Sequence, residues 1–154
     1  MANNIFLVGP MGAGKSTIGK MLADRTGRKF IDTDSVIVEK TGVEIDLIFE
    51  IEGEAGFRKR ECKLIEELTA LDYIFLATGG GAVLSSENRN HLKQRGTVVY
   101  LQASAEQLFE RTVKDKKRPL LQTEDRLGKI REILAAREPL YMEIADEIVA
   151  TDNK

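Results

Sequence analysis

The sequence has few of the features that are typical of secreted, metal-binding or membrane-spanning proteins. Its 154 residues include one cysteine, Cys62, one histidine, His91, and no tryptophan. A single cysteine excludes an internal disulfide and agrees with a reducing compartment. No apolar run approaches the roughly 20 residues that cross a bilayer, and no basic segment with a long apolar core opens the chain. We therefore expect a cytoplasmic protein that does not bind membranes.

Charge and size restrict the function further. The formal net charge is −2 and the pI is near 5.6, so no global basic field favours nucleic acid as a partner. A chain of 154 residues with 42% hydrophobic residues suffices for one well-filled core and is short for two. We expect a single domain over residues 1–154 that works as a monomer.

The most informative motif follows the first apolar run. Residues 9–17 read GPMGAGKST, directly after IFLV at residues 5–8, and fit the phosphate-binding pattern G-x-x-x-x-G-K-[ST]. The glycines let backbone N–H groups converge on one anion, Lys15 adds a positive charge, and Ser16 is placed to ligate magnesium. A preceding strand and a following amphipathic helix favour a nucleoside triphosphate site over a turn that only caps a helix.

Short apolar runs separated by helical stretches predict the fold class. Strands that alternate with helices form a parallel sheet with helices on both faces, because parallel neighbours need long crossovers. The fold is therefore predicted to be α/β, with ligands at the carboxyl ends of the strands. The predicted strands lie in residues 5–8, 30–31, 73–77, 98–101 and 148–150.

Two segments interrupt this alternation and could cover the site. The first is an insert at about residues 34–69, with helices broken by Gly42, Gly53 and Gly56. The second is a charged segment at about residues 112–124, which we expect to form a lid that excludes water. The remaining residues, 1–33, 70–111 and 125–154, would form the core of the domain.

Two aspartates follow the second predicted strand. Asp32 at the strand end can hold magnesium through water, and Asp34 can accept a hydrogen bond or a proton from an acceptor hydroxyl. Either could instead cap the next helix, which we expect to begin near Ser35. Asp152, after the last predicted strand, is a competing metal partner.

A glycine-rich loop, TGGG at residues 78–81, follows the third predicted strand. A tight turn needs only one or two glycines, so the surplus favours close approach of a ligand to bare N–H groups.

Three arginines are candidates for binding anions. Arg58 lies near the start of the helix predicted at residues 54–69, and Arg137 lies near the end of a helix that should run to about Glu138. Arginine recognises carboxylates bidentately, although an isolated exposed arginine is more often a solvated charge. Arg118, in the charged segment, could neutralise charge on a transferred phosphoryl group or belong to a solvated basic loop.

Taken together, the motifs resemble those of shikimate kinase, the family that phosphorylates shikimate in aromatic amino-acid biosynthesis. They occur in the family's order over nearly the whole chain. The resemblance implies a three-layer P-loop kinase fold of nucleoside-monophosphate-kinase type, with a five-stranded parallel sheet, a substrate-binding insert and a lid. The matching segments are residues 9–17 (GPMGAGKST), 32–34 (DTD), 57–61 (FRKRE), 78–81 (TGGG), 118–121 (RPLL) and 137–141 (REPLY).

The resemblance also implies roles for residues at the nucleotide side. Mg²⁺ would be held by Ser16 directly and by Asp32 through water. Arg118 would close over the phosphates and act in catalysis together with Lys15, while Arg111 would lie against adenine. Because family members commonly continue past the last strand, further adenine contacts are left unassigned at this end of the sequence. ATP phosphates would contact Gly12, Ala13, Gly14, Lys15, Ser16 and Thr17.

At the acceptor side, the resemblance implies a carboxylate-binding pocket. Asp34 would activate the 3-hydroxyl of shikimate, and the arginines would hold its carboxylate. Phe49, Phe57 and Glu61 would line or support the pocket. Kinases of other small hydroxy acids, such as gluconate, and a non-catalytic ATP-binding module remain as alternatives. The residues implied to contact shikimate are Asp34, Arg58, Gly80, Gly81 and Arg137.

Overall fold

The apolar runs form a parallel sheet of five strands: β1 (Ile5–Val8), β2 (Lys29–Asp32), β3 (Ile74–Ala77), β4 (Thr97–Gln102) and β5 (Glu147–Ala150). The computed structural model describes residues 3–10, 13–112 and 126–150, without the side chains of residues 111 and 112. The strand order is β2-β3-β1-β4-β5, with every neighbouring pair parallel. The carboxyl ends of β2, β3 and β1 therefore lie side by side.

In the described part of the chain, six α-helices and a short 3₁₀ turn, Ala82–Leu84, connect the strands. None of the helices within the described ranges is both long enough and apolar enough to cross a membrane. The helices are α1 (Lys15–Thr26), α2 (Thr33–Thr41), α3 (Ile45–Leu68), α4 (Ser86–Arg95), α5 (Ala105–Thr112) and α6 (Arg126–Ile144).

The two faces of the sheet bury separate cores. Successive side chains of a strand point to opposite faces, so Phe6 and Val8 of β1 lie in one core and Leu7 in the other. The first core also contains Leu92 of α4 and Tyr141 of α6, and the second contains Ala23 of α1 and Leu108 of α5. Helices on both faces of the sheet, as predicted, thus hold the strand ends in a fixed arrangement.

Between β2 and β3, helices α2 and α3 form the predicted insert, with a small core of their own. Ile37, Ile48, Phe57 and Leu64 are buried together there. Gly42 ends α2 with a φ of 76°, and Gly53 breaks α3 with a φ of 75°. These left-handed angles favour glycine, so two of the three predicted interruptions are present.

Three local predictions were wrong. Gly56 is helical and breaks nothing; a Cβ there would lie 2.6 Å from the Cβ of Glu52. Helix α2 begins at Thr33 and not near Ser35. Helix α6 continues past Glu138 to Ile144, although Pro139 lies inside it. Proline inside a helix costs about 3 kcal/mol, but Tyr141 and Ile144 are fully buried beyond it, and this burial favours continuing the helix.

Candidate active site

Loops at the ends of three adjacent strands meet at one edge of the sheet. Asp32 of β2 pairs in register with Ala77 of β3, which in turn pairs with Leu7 of β1. The buried Thr33 accepts a hydrogen bond at its Oγ1 from the N–H of Gly79, 3.1 Å away. The predicted convergence of the three loops is therefore observed, and Thr33 is a connection that the sequence analysis missed.

In the glycine-rich loop after β1, the described glycines have the positive φ angles that their positions predict. Gly9 has a φ of 147°, and Gly14 caps the start of α1 with a φ of 94°. A Cβ at Gly9 would lie 2.6 Å from the carbonyl oxygen of Leu101, so the loop requires glycine there. The Nζ of Lys15 donates hydrogen bonds to the carbonyl oxygens of Gly9 and Pro10 at 2.7 and 2.8 Å. The lysine thus folds back over the loop.

Ser16 and Asp32, the two predicted metal ligands, are in direct contact. The Oγ of Ser16 donates to Oδ2 of Asp32 at 2.7 Å, and the other carboxylate oxygen of Asp32 accepts from the N–H of Asp34 at 2.9 Å. Asp32 therefore caps α2, one of the two uses considered for it, and also contacts the loop, while its magnesium role stays a prediction. The described residues contain no cluster of three or more metal-ligating His, Cys, Asp or Glu side chains. A hydroxyl and one carboxylate suit Mg²⁺, which keeps water and phosphate ligands.

Asp34 and Glu61 approach the loop at residues 78–81 from two different helices. A Cβ at Gly79 would lie 2.9 Å from Oδ1 of Asp34 and 2.9 Å from Oε2 of Glu61. Glu61 is almost fully buried, and burial raises the pKa of its carboxyl, with the charge of Arg58 opposing the shift. Oε2 of Glu61 is buried without a hydrogen-bond partner. Two carboxyl groups thus face the same side of this loop.

Arg58 is held in place by its own helix. One of its nitrogens, Nη1, lies 2.9 Å from Oε1 of Glu61, and Nη2 lies 3.3 Å from Oε2 of Glu54. The guanidinium also lies over the rings of Phe57 and Phe49, at 5.2 and 5.9 Å from their centroids. These contacts fix a cation whose side chain remains 20% exposed, so it can still reach a ligand.

Arg137 brings a second, more deeply buried cation to this region. It is only 6% exposed, and burial lowers its pKa, as does the positive charge of Arg58. The hydroxyl of Tyr141, one helical turn later, opposes this lowering of the pKa. No carboxylate within the described ranges lies in ion-pair contact with Arg137, whereas Arg58 contacts two. A buried cation without a paired anion is costly, and an anionic ligand would offset that cost.

Two of the glycines at residues 79–81 lie against side chains of the protein, which differs in part from the predicted reason for them. None of the three has a left-handed φ. A Cβ at Gly81 would overlap the guanidinium of Arg58, as one at Gly79 would crowd Asp34 and Glu61. The missing side chains therefore make room for side chains of the protein itself. Whether a ligand also approaches these N–H groups stays a prediction.

Several predicted residues lie outside the described part of the chain: Gly12, Arg118, Asp152 and most of the lid, together with the side chain of Arg111. Of the others, Ala13 is buried, and Ser16 and Thr17 are exposed in the first turn of α1. Tyr141 is a site neighbour that the sequence analysis did not single out. Its i, i+4 spacing from Arg137 was the available signal.

The sequence matches a known family over nearly its whole length. A family model described as shikimate kinase matches residues 11–154. The chain belongs to the shikimate kinase family. Its similarity to individual members is high: it is 59% identical to the shikimate kinase of Nitrosococcus oceani, over 98% of this chain and 80% of that protein. The chain is accordingly a kinase, an ATP-using P-loop transferase of the shikimate pathway.

Solved structures agree with this family and with the predicted fold. The structure of shikimate kinase from Acinetobacter baumannii in complex with shikimate has a TM-score of 0.97 and 51% identity, and the match covers 100% of this chain and 86% of that one. A gluconokinase from Sinorhizobium meliloti has a TM-score of 0.52 and 17% identity, over 97% of this chain and 81% of the other. At that identity the likeness to gluconokinase shows only the fold. The predicted P-loop kinase fold is confirmed.

Proposed function

We propose that this chain transfers the γ-phosphoryl group of ATP to the 3-hydroxyl of shikimate, giving shikimate 3-phosphate and ADP. The observation that carries the proposal is a pair of arginines. Arg137 is buried, and no described carboxylate lies in ion-pair contact with it. Arg58 is close enough to lower its pKa and is itself held by Glu61. Two arginines at one edge of a sheet suit a small carboxylic acid. The phosphate-binding loop lies at the same edge, so donor and acceptor can be adjacent.

At the nucleotide side, backbone N–H groups of residues 12–17 would bind the phosphates, with the dipole of α1 favouring negative charge. Lys15 would leave the carbonyl oxygens of Gly9 and Pro10 and contact the β- and γ-phosphates. Arg111 would contact adenine. Arg118, from a lid at about residues 112–124, would neutralise charge on the transferred group.

Ser16 and Asp32 would hold Mg²⁺ at the nucleotide. Their oxygens, 2.7 Å apart, are of the hard donor type that this ion prefers. When bound, the ion would supply positive charge to the phosphate oxygens. Asp32 would bind the ion while still capping α2 through its other oxygen.

At the acceptor side, Arg58 and Arg137 would bind the carboxylate, and Gly80 and Gly81 would donate backbone N–H groups to shikimate. Asp34 would orient the 3-hydroxyl and accept its proton. The hydroxyl oxygen would then form a bond to the γ-phosphorus as the bond to the bridging oxygen breaks, leaving ADP. Positioning and charge neutralisation would supply most of the rate enhancement.

The domain organisation is part of the same proposal. The core of residues 1–33, 70–111 and 125–154 would bind ATP, and the insert of residues 34–69 would bind shikimate. Hydrogen exchange with and without both substrates tests the lid. Increased protection of residues 112–124 with both substrates supports closure, and unchanged protection contradicts it.

We also propose that the protein is cytoplasmic and monomeric. Its only cysteine, Cys62, is free, which suits a reducing compartment. Light scattering during gel filtration should give a mass near the 17.2 kDa of one chain. A mass near twice that value would contradict the monomer.

A coupled assay of ADP release tests the function directly. Shikimate, gluconate and a carboxylic acid without an acceptor hydroxyl would be supplied at equal concentration. We expect rapid ADP release with shikimate only. Release with gluconate at a similar rate would indicate a different hydroxy-acid kinase, and equal slow release in every sample would indicate an ATP-binding module without an acceptor.

A further inference from the structure

Tyr141 belongs to the motif of Arg137 but has no role in the function proposed above. It lies four residues after Arg137 on α6, so the two side chains share one face of the helix. Its ring is completely buried in the core beneath the sheet edge. A buried tyrosine usually retains its hydroxyl for a specific hydrogen bond, because an apolar ring would fill the space at lower desolvation cost.

The hydroxyl of Tyr141 connects two parts of the acceptor site. It donates to the carbonyl oxygen of Gly80 at 2.6 Å, and it lies on the helix face that carries Arg137. One hydrogen bond thereby anchors this face of α6 to the glycine loop. Burial raises the pKa of this hydroxyl, so it stays protonated and keeps donating to Gly80 in neutral solution.

We propose that Tyr141 is a positioning residue for the acceptor carboxylate. Its hydroxyl sets the distance between the face of α6 that carries Arg137 and the N–H groups of Gly80 and Gly81, which would bind the same ligand. Holding the helix and the loop at a fixed spacing before binding lowers the entropy that binding must overcome. The inference rests on the proposed binding roles of Arg137 and Gly80.

Tyr100 provides a matched control. Its ring is equally buried and stacks on that of Tyr141, with centroids 5.0 Å apart and an interplanar angle of 28°. Its hydroxyl donates instead to Oε2 of Glu138 at 2.8 Å. Removing either hydroxyl therefore disturbs the same core, but only Tyr141→Phe removes the hydrogen bond between α6 and Gly80.

The experiment compares Tyr141→Phe, Tyr100→Phe, Arg137→Ala and the double variant Arg137→Ala/Tyr141→Phe in steady-state assays with both substrates. We expect Tyr141→Phe to raise the KM for shikimate about five- to tenfold, the usual effect of losing one hydrogen bond. The KM for ATP should stay within about twofold of wild type, and Tyr100→Phe should leave both KM values unchanged. Without Arg137, adding Tyr141→Phe should change the KM for shikimate less than about twofold.

Three results would overturn the inference. One is an unchanged KM for shikimate in Tyr141→Phe, with Arg137→Ala strongly impaired; this leaves the proposed function intact. Another is an equal fold-change from Tyr141→Phe with and without Arg137, which indicates a purely structural effect. The third is a normal KM for shikimate in Arg137→Ala, which removes Arg137 from the proposed function as well. If Tyr141→Phe melts below the assay temperature, calorimetric titration of shikimate at low temperature gives the same comparison.

Discussion

The nucleotide side and the acceptor side of the candidate site are built in different ways. The nucleotide side comes mainly from one continuous segment, residues 9–17, whose turn is set by its own glycines. The acceptor side gathers side chains from α2, α3 and α6, which only tertiary packing brings together. A site made from adjacent residues depends on local backbone geometry. A site made from distant helices depends equally on the neighbours that hold each side chain.

The largest effect should come from the continuous segment. Lys15→Ala removes the charge that would stabilise the transferred phosphoryl group, and we expect kcat to fall about 10²- to 10³-fold. The KM for shikimate should change little, which would separate the two sides. Steady-state kinetics measures both values. Lys20→Ala, an exposed change on the same helix, is the control, and a kcat of Lys15→Ala equal to the control would contradict the assignment.

Asp34→Asn tests the carboxylate that is proposed to accept the proton of the acceptor hydroxyl. We expect kcat to fall about 10²-fold, because the amide cannot accept the proton of the acceptor hydroxyl. Glu39→Gln, on the exposed surface of the same helix, should retain normal kcat. Rapid-quench measurement of the first turnover would show whether the chemical step is affected. Kinetics like those of wild type would remove Asp34 from the mechanism.

Arg58→Ala tests whether the acceptor side can be impaired without the nucleotide side. Loss of a charge-assisted hydrogen bond costs about 1.5–3 kcal/mol, so the KM for shikimate should rise about 10- to 100-fold. The KM for ATP should stay close to that of wild type. Arg60→Ala is a matched control two residues away, since among the described residues Arg60 pairs only with the exposed Glu52. Equal loss of affinity for both substrates would mean that Arg58 supports the fold and does not select the acceptor.

The smallest expected effect is on stability and concerns Glu61. Its pKa is raised in the folded protein, chiefly by burial. The folded state therefore holds this proton more tightly than the unfolded state, and stability falls as pH rises above the ordinary value of 4.5. Glu61→Gln removes this titration, so denaturant midpoints of wild type should decline relative to those of the variant as the pH rises above about 4.5. Parallel pH profiles for the two proteins would show that Glu61 does not titrate in this way.

Sequence reasoning predicted the features that depend on local pattern. The β1–loop–α1 unit follows from an apolar run, glycines and a Lys-Ser pair, each of which constrains the backbone near itself. The parallel sheet follows from alternation of strands with helices. The end of α6 was misplaced because Pro139 is a strong local signal, whereas burial of Tyr141 and Ile144 is decided by distant parts of the chain.

Features that depend on contacts between elements were harder to predict. The triple glycine was assigned to a ligand, but Gly79 and Gly81 also make room for Asp34, Glu61 and Arg58. Nothing in the local sequence reveals which side chain will face a bare Cα. The link between Thr33 and Gly79 was likewise invisible, because its partners are far apart in the chain.

Asp32 has a consequence for how the two substrates influence each other. One of its oxygens contacts Ser16 in the nucleotide loop, and the other fixes the N–H of Asp34 at the start of α2. A planar carboxylate cannot move one oxygen independently of the other. The nucleotide loop and the start of α2 are therefore connected rigidly through the carboxylate of Asp32. If occupancy of either side shifts Asp32, thermodynamic linkage requires that the affinities change reciprocally, by the same factor in both directions.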